Sequence, residues 1–161
     1  SLLRSLWASF GMEEKLTNSV TPRPWRLEKR VLPQHTDHAG VMWHGAYVAW
    51  LEEARVEALA SAGLDYAVMS RMGVEMPVVS LRVDYLRALR QGEWVTVESR
   101  CLPRSGVRWP WQCSLLVQQQ VMARAEVDLV LLESGRVLRR PPEALTEVLR
   151  ALQRGPQGAT P

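Results

Sequence analysis

From Met76 to Leu131 the apolar residues fall on every second position. Val79, Leu81, Val83 and Tyr85 alternate with Ser80, Arg82 and Asp84, and Val95, Val97, Ser99 and Cys101 with Thr96, Glu98 and Arg100. Trp109, Trp111, Cys113, Leu115 and Val117 alternate with Pro110, Gln112 and Ser114. Val121, Ala123, Ala125, Val127, Leu129 and Leu131 alternate with Arg124, Glu126 and Asp128. A period of two sends successive side chains to opposite faces, so each segment predicts a strand with one apolar face. Short turns at Arg90-Gln91-Gly92 and Arg104-Ser105-Gly106 predict that the four form an antiparallel meander. Trp25 to Leu32 predicts an earlier strand, ended by Pro33.

The period changes between these strands. Tyr47, Trp50, Leu51, Ala54, Ala58 and Ala62 recur at helical spacing, while Glu52, Glu53, Arg55 and Glu57 face elsewhere. Gly63 supplies the stop. Six alanines between Ala46 and Ala62 make this helix narrow enough for a sheet to wrap closely around it. Asp65 to Met72 predicts one or two further helical turns, and Pro141-Pro142 opens a short last helix over Glu143 to Leu152. The order is strand, long helix, four strands, short helix, an α+β chain. One helix cannot cover both faces of five strands, so the sheet is expected to curl around it. The remaining edge and apolar outer positions are expected to drive self-association.

Composition narrows the class without naming a function. The 161 residues suffice for one domain with a sizeable core and not for two ordinary ones. A hydrophobic share of 47% excludes a largely disordered chain, and charges break every apolar run before membrane-spanning length. The net charge of +3 is too small to argue for nucleic acid. Eighteen arginines against two lysines suit recognition of phosphate or carboxylate, or reflect an arginine-favouring genome. Cys101 and Cys113, each inside an alternating pattern, exclude a disulfide framework and a Cys-rich zinc site. They read as buried filler in a reducing cytoplasm. Residues 1–24 read as a leader of unknown role. Arg4 and Ser5 break its apolar run, unlike a signal-peptide core, and Met12 offers an alternative start. Residues 25–153 read as the domain, and 154–161 as a disordered tail.

Chemistry concentrates between the first strand and the helix, in His35-Thr36-Asp37-His38-Ala39-Gly40-Val41-Met42-Trp43-His44-Gly45-Ala46-Tyr47. A helix start offers unpaired N–H groups and the positive end of the dipole, which polarise a carbonyl or hold an oxyanion. Asp37 could attack such a carbonyl or activate water, and His44 could bond the carbonyl or the carboxylate. Spacing alone explains Asp37 more readily as a turn residue in Thr-Asp-His-Ala-Gly. The three histidines with Asp37 could also suggest a metal, although their spacing fits no common zinc pattern.

The segment HTDHAGVMWHGAYVAWLEEAR resembles the signature of the hotdog-fold acyl-CoA thioesterases, the 4-hydroxybenzoyl-CoA thioesterase family. That signature is an Asp-x-x-Gly-Val/Ile element, two further residues, and a helix beginning near a Tyr. The resemblance runs from Trp25 to Ala151 and takes in LRVDYLRALRQGEWVTVESR and the closing GRVLRRPPEAL. It implies a five-stranded antiparallel sheet wrapped around one long central helix, with a short C-terminal helix. It also implies Asp37 as the catalytic carboxylate, with His44 giving a side chain or backbone N–H to the thioester carbonyl. Gly40 and Val41 match the turn beside the thioester, and Trp43, Gly45 and Tyr47 the substrate site around it. Arg104 and Arg108 flank the turn where family members place basic residues for the nucleotide. The chain departs from the pattern in having His35 where an acidic residue is common, Ala46 where Asn is common, and His38 at a variable position.

The implied reaction is acyl-CoA + water → carboxylic acid + CoA, on an aromatic or a medium- or long-chain acyl group. Asp37 would be general base or nucleophile. Coenzyme A is part of the substrate, and no cofactor, metal, nucleic acid or membrane span is implied. The family's assembly is a homodimer or homotetramer with sites at the subunit boundary. The alternatives on the same fold are a non-catalytic acyl-CoA-binding module and an acyl-thioester hydratase or dehydratase. The latter class usually carries a His before a Gly-x-Pro turn, which the sequence lacks.

Overall fold

The computed structural model describes residues 23–157. The leader reading of residues 1–24 therefore falls, apart from Arg23 and Pro24, outside the described residues, as do residues 158–161 of the tail. In chain order the elements are β1 (Trp25–Arg30), α1 (His44–Ser61), α2 (Tyr66–Arg71), β2 (Val74–Glu75), β3 (Val78–Tyr85) and β4 (Trp94–Cys101). There follow β5 (Trp109–Val117), β6 (Gln120–Leu129), β7 (Leu132–Glu133), β8 (Arg136–Val137) and α3 (Thr146–Arg154). The α+β class and the five-stranded antiparallel sheet match the expectation. A second, three-stranded sheet of β2, β7 and β8 goes beyond it. This sheet forms because the last long strand ends at Leu129 and the chain turns through buried Val130 and Leu131 to pair Leu132 with Glu75.

The sheet order is β1-β4-β5-β6-β3, and this corrects the expected meander. Only β4, β5 and β6 are successive neighbours. β3 lies at the far edge, paired with β6 through Leu81↔Val127 and Tyr85↔Ala123, while β4 pairs with β1. The Arg90-Gln91-Gly92 turn is the end of a crossing connection and not a hairpin. Glu93 N–H closes the turn onto Arg90 C=O (3.2 Å), but the segment is tied to other parts of the chain, from Gly92 N–H to Val31 C=O (2.7 Å) and from Met42 N–H to Leu89 C=O (2.7 Å). Alternation fixes which face a side chain takes but not which strand lies beside it.

The 18-residue α1 lies against β1 and β4 and gives Ala46, Tyr47, Trp50, Leu51, Ala54, Ala58 and Leu59 to the core shared with the sheet's inner face. Arg55, expected on the polar face, is buried. It falls one turn from both Leu51 and Leu59, in the apolar stripe, and its charge reaches the Cys113 thiol. Both cysteines are buried, and burial pushes the Cys101 thiol up to about 12 and raises Cys113 as well. Such thiols are protonated and inert, as filler should be. At the tail, Gly155 is buried with φ +86°, and a Cβ there would run into the Arg23 carbonyl, so α3 and the lead into β1 fix each other.

The outer sheet face is polar rather than apolar, with Arg26, Glu28, Glu98, Arg124, Glu126 and Asp128 upon it. The uncovered apolar surface is instead on β3, where Val79, Leu81 and Tyr85 are 48%, 41% and 49% exposed. No helix among the described residues is long and apolar enough to cross a membrane.

The close fit of α1 makes a size prediction. Ala58 is 2% exposed whereas Ala60 is exposed. Ala58→Leu should lower the free energy of unfolding in urea by about 1–3 kcal/mol through overpacking. Ala60→Leu should stay within about 0.5 kcal/mol of the parent.

Candidate active site

Residues 32–43 form a compact hydrogen-bonded loop between β1 and α1. A 3₁₀ turn, Pro33–His35, opens it, with Thr36 N–H bonded to Pro33 C=O (3.1 Å) and Thr36 Oγ1 donating to the same oxygen (2.7 Å). The chain then doubles back. Thr36 pairs with Met42, Asp37 N–H donates to Val41 C=O (2.9 Å), and Gly40 takes φ +78°, which a side chain would resist. The far end is tied to α1 and to the crossing connection, since Trp43 N–H donates to His35 C=O (3.1 Å) and Val41 bridges Arg90.

Asp37 is exposed and closes this miniature hairpin. Its Oδ1 accepts from Ala39 N–H (2.8 Å) and Val41 N–H (3.3 Å), while Oδ2 has no protein partner among the described residues. The turn reading and the catalytic reading therefore coexist, because one carboxylate oxygen holds the turn and leaves the other free.

The helix that follows has an open start. Trp43 is its N-cap and makes no side-chain cap bond, and the N–H groups of His44 and Gly45 have no acceptor among the described residues. These unpaired donors carry the positive end of an 18-residue dipole. The helix starts at His44, three residues before Tyr47, where the spacing first shows it. The indole of Trp43, 46% exposed, sits edge-on to His44 (5.4 Å between centroids) and covers the place where a Gly45 Cβ would be. Gly45 is thus required by its neighbour's ring.

A cleft of about 310 Å³ opens beside this helix start, lined by Met42, His44, Tyr47, Tyr85, Leu86, Arg87 and Ala88. Tyr47 and Tyr85 stack edge to face at 4.8 Å, and burial raises the Tyr47 phenol, which keeps it protonated at neutral pH. Of the residues singled out from the sequence, His44 and Tyr47 line the cleft. Trp43 and Gly45 adjoin His44, and Gly40 and Val41 shape the hairpin next to it. Asp37 does not line the cleft, and no hydrogen bond joins it to His44 among the described residues.

Arg104 and Arg108 lie elsewhere. Arg104 Nη1 donates to Arg139 C=O and the guanidinium sits 5.9 Å from the Trp109 ring, while Arg108 pairs with Asp128 at 3.0 Å. Trp109 pairs with Leu129, six residues along β6 from the Ala123 that pairs with Tyr85. At about 3.3 Å per residue that is roughly 20 Å from the cleft in the same chain. Sequence reasoning misses the cleft's other wall, Tyr85 to Ala88. Its signal is hidden because the crossing connection, which reads as a hairpin, brings that wall to the helix start.

Among the described residues no three His, Cys, Asp or Glu side chains group as a metal site. Unpaired N–H groups at a helix start can polarise a carbonyl, and here they open beside the cleft, with a carboxylate on the adjoining hairpin.

Comparisons with known proteins agree with this fold. A Synechocystis protein named "Putative esterase sll0410" is 36% identical over 139 residues, covering 84% of each chain. The crystal structure of a hypothetical protein from Aquifex aeolicus is similar with a TM-score of 0.73 and 26% identity, covering 80% of this chain and 99% of that one. A mutant 4-hydroxybenzoyl-CoA thioesterase in complex with 4-hydroxybenzoyl-CoA has a TM-score of 0.71. At 17% identity, covering 81% of this chain and 99% of that one, it shares the fold. The thioesterase-like superfamily profile matches residues 31–152, and the chain belongs to that superfamily of thioester hydrolases.

Proposed function

We propose that the protein hydrolyses an acyl-CoA thioester to the free acid and CoA, with Asp37 as general base or nucleophile. The observation that carries this reading is the pair of unpaired N–H groups at His44 and Gly45, opening beside a carboxylate whose second oxygen is free. In the water route, Asp37 Oδ2 takes a proton as the water oxygen bonds to the carbonyl carbon. The carbonyl oxygen becomes an oxyanion held by the helix-start N–H groups, aided by the His44 side chain. Collapse breaks the C–S bond and the proton passes to the CoA sulfur. In the direct route the Asp37 carboxylate attacks the carbonyl carbon, the C–S bond breaks and CoA leaves as the thiolate; water then opens the mixed anhydride, freeing the acid and Asp37 and supplying the proton that the thiolate takes up. Gly40 and Val41 support the carboxylate, and Trp43 and Tyr47 flank the acyl group. The wall of Met42, Tyr47, Tyr85 and Leu86 suits an aromatic acyl group ahead of an aliphatic chain. No cofactor beyond the substrate's own CoA enters the reaction, and the unbridged thiols suit a cytoplasmic protein.

In this reading α1 is the central helix of the curled sheet, and a second copy completes the site. The exposed apolar edge β3 is the surface for it. Antiparallel pairing of β3 with its own copy sets the Tyr85 end of one strand against the Val78 end of the other. Val78 pairs with Leu129, and Leu129 with Trp109 beside Arg108. Arg104 and Arg108 of one chain would then approach the cleft of its partner, where CoA phosphates need cations.

Asp37→Asn should lower kcat for acyl-CoA hydrolysis by about 10²-fold or more with the fold retained by circular dichroism. Wild-type turnover by that variant would remove Asp37 from the mechanism. In the same acyl-CoA panel, binding without turnover would indicate an acyl-CoA-binding module, and hydration of an enoyl-CoA a hydratase. Leu81→Lys should shift the sedimentation coefficient toward the monomer and cut activity with it. Arg104→Ala with Arg108→Ala should raise KM for the CoA ester and leave KM for the matching pantetheine thioester, which lacks the nucleotide, near the parent value.

A further inference from the structure

The loop that carries Asp37 is anchored through His35, which no step of the proposed reaction uses. His35 stands where the sequence pattern commonly has an acidic residue. Its Nδ1 accepts the Leu32 N–H at 3.0 Å, its own N–H donates to Leu32 C=O (2.9 Å), and its C=O accepts the Trp43 N–H (3.1 Å). Its ring, half-buried, meets the buried Trp50 of α1 edge-on at 5.2 Å. One residue thus joins the end of β1, the N-cap of α1 and the core face of that helix. Thr36 and Asp37 follow directly.

We infer that His35 is a positioning residue, holding the Asp37 hairpin against the start of α1 only while its imidazole is neutral. This inference rests on Asp37 being the working carboxylate. An Nδ1 that accepts an N–H cannot carry a proton, so the bonded ring is neutral with its hydrogen on Nε2. Protonation would turn Nδ1 into a donor facing the Leu32 N–H. That bond is lost, two N–H groups oppose each other, and the 3₁₀ turn under Asp37 loosens.

The neutral Trp50 ring is what meets the imidazole on α1. The nearest charges on the packed elements pair with each other, Lys29 of β1 lying 5.9 Å from the Trp50 ring and 3.0 Å from Glu53 of α1. Asp37, His38 and His44 are the remaining titratable groups of the loop and helix start.

The test is the pH profile of kcat/KM for acyl-CoA hydrolysis in the parent, His35→Asn and His35→Gln. An Asn side chain can offer oxygen where Nδ1 stood and does not titrate, whereas a Gln side chain reaches past that point. The parent should lose activity on the acid side of its profile, because protonation removes the Nδ1 acceptor. His35→Asn should keep the neutral-pH rate within about threefold and carry its acid limb to lower pH than the parent's. His35→Gln should be folded and at least about tenfold slower at every pH, on the scale of a misplaced acid–base group. An unmoved acid limb in His35→Asn, or a parent-like rate in His35→Gln, overturns the inference.

A readout without turnover separates this failure from failure of the thioesterase reading. In a ¹⁵N NMR titration of the protein alone, the Leu32 and Trp43 amides should shift with the His35 midpoint in the parent and not in His35→Asn. Amides that ignore that midpoint overturn the positioning role even if hydrolysis is measured. Amides that follow it in a protein without hydrolysis leave the role in place and reject the reaction.

Discussion

The long helix α1 is narrower than the five-stranded sheet it packs on, and this mismatch shapes much of the molecule. Four gaps of about 4.8 Å make the sheet roughly 20 Å wide, against a helix about 10 Å across. Helix α1 rests on β1 and β4, on one side of the sheet. Towards the other side the inner face is closed by its own large residues, with Trp109 and Trp111 on β5 buried, and at the edge it is not closed at all. Hence β3 keeps Val79, Leu81 and Tyr85 exposed, and the cleft opens where the helix start meets that edge. The uncovered edge and the site are two consequences of one shortage of cover.

The same geometry explains why chemistry gathers before the helix. A helix start needs partners for its first N–H groups, and sequences commonly supply a Ser, Thr, Asp or Asn cap. Here Trp43 occupies the cap and makes no side-chain bond, so the donors of His44 and Gly45 stay available. Asp37, the carboxylate of the preceding loop, commits one oxygen to its own hairpin. Stability that a cap would have contributed, typically about 1 kcal/mol, is forgone at the place where an anion or a polarised carbonyl can collect it.

Much of this is legible in the sequence, and the exceptions have physical causes. Period two locates β4, β5 and most of β6, and period 3.6 locates α1, because each periodicity reports which face is buried. Partner choice carries no such signal, so the place of β3 beside β6 stays hidden, and with it the cleft wall from Tyr85 to Ala88. Arg55 is misleading for a related reason. Its residue type suggests the polar face, but its spacing from Leu51 and Leu59 puts it in the stripe, and a long aliphatic stem allows that burial. The roles proposed for Asp37 and His44 come from resemblance. Composition and spacing alone leave Asp37 undecided between turn and catalyst, and its carboxylate geometry fits both.

The arginine excess yields to the same kind of reasoning. A chain with eighteen arginines and two lysines invites a phosphate-binding reading. Yet Arg26, Arg82, Arg108 and Arg150 face carboxylates, and Arg30 and Arg104 lie near the rings of Trp94 and Trp109. Exposed pairs of this kind contribute little, usually below about 1 kcal/mol, so they leave the guanidinium groups free to exchange partners when a stronger anion arrives. Arg87 differs in position, since it lines the cleft of its own chain beside Tyr85 and Leu86. In the proposed dimer, a charged substrate entering between Arg87 and the second copy would meet cations from two chains, although neither chain alone is strongly basic. Charge balance over the whole sequence cannot reveal such an arrangement, because it depends on which end of the sheet each arginine occupies and on which end the proposed pairing would bring alongside.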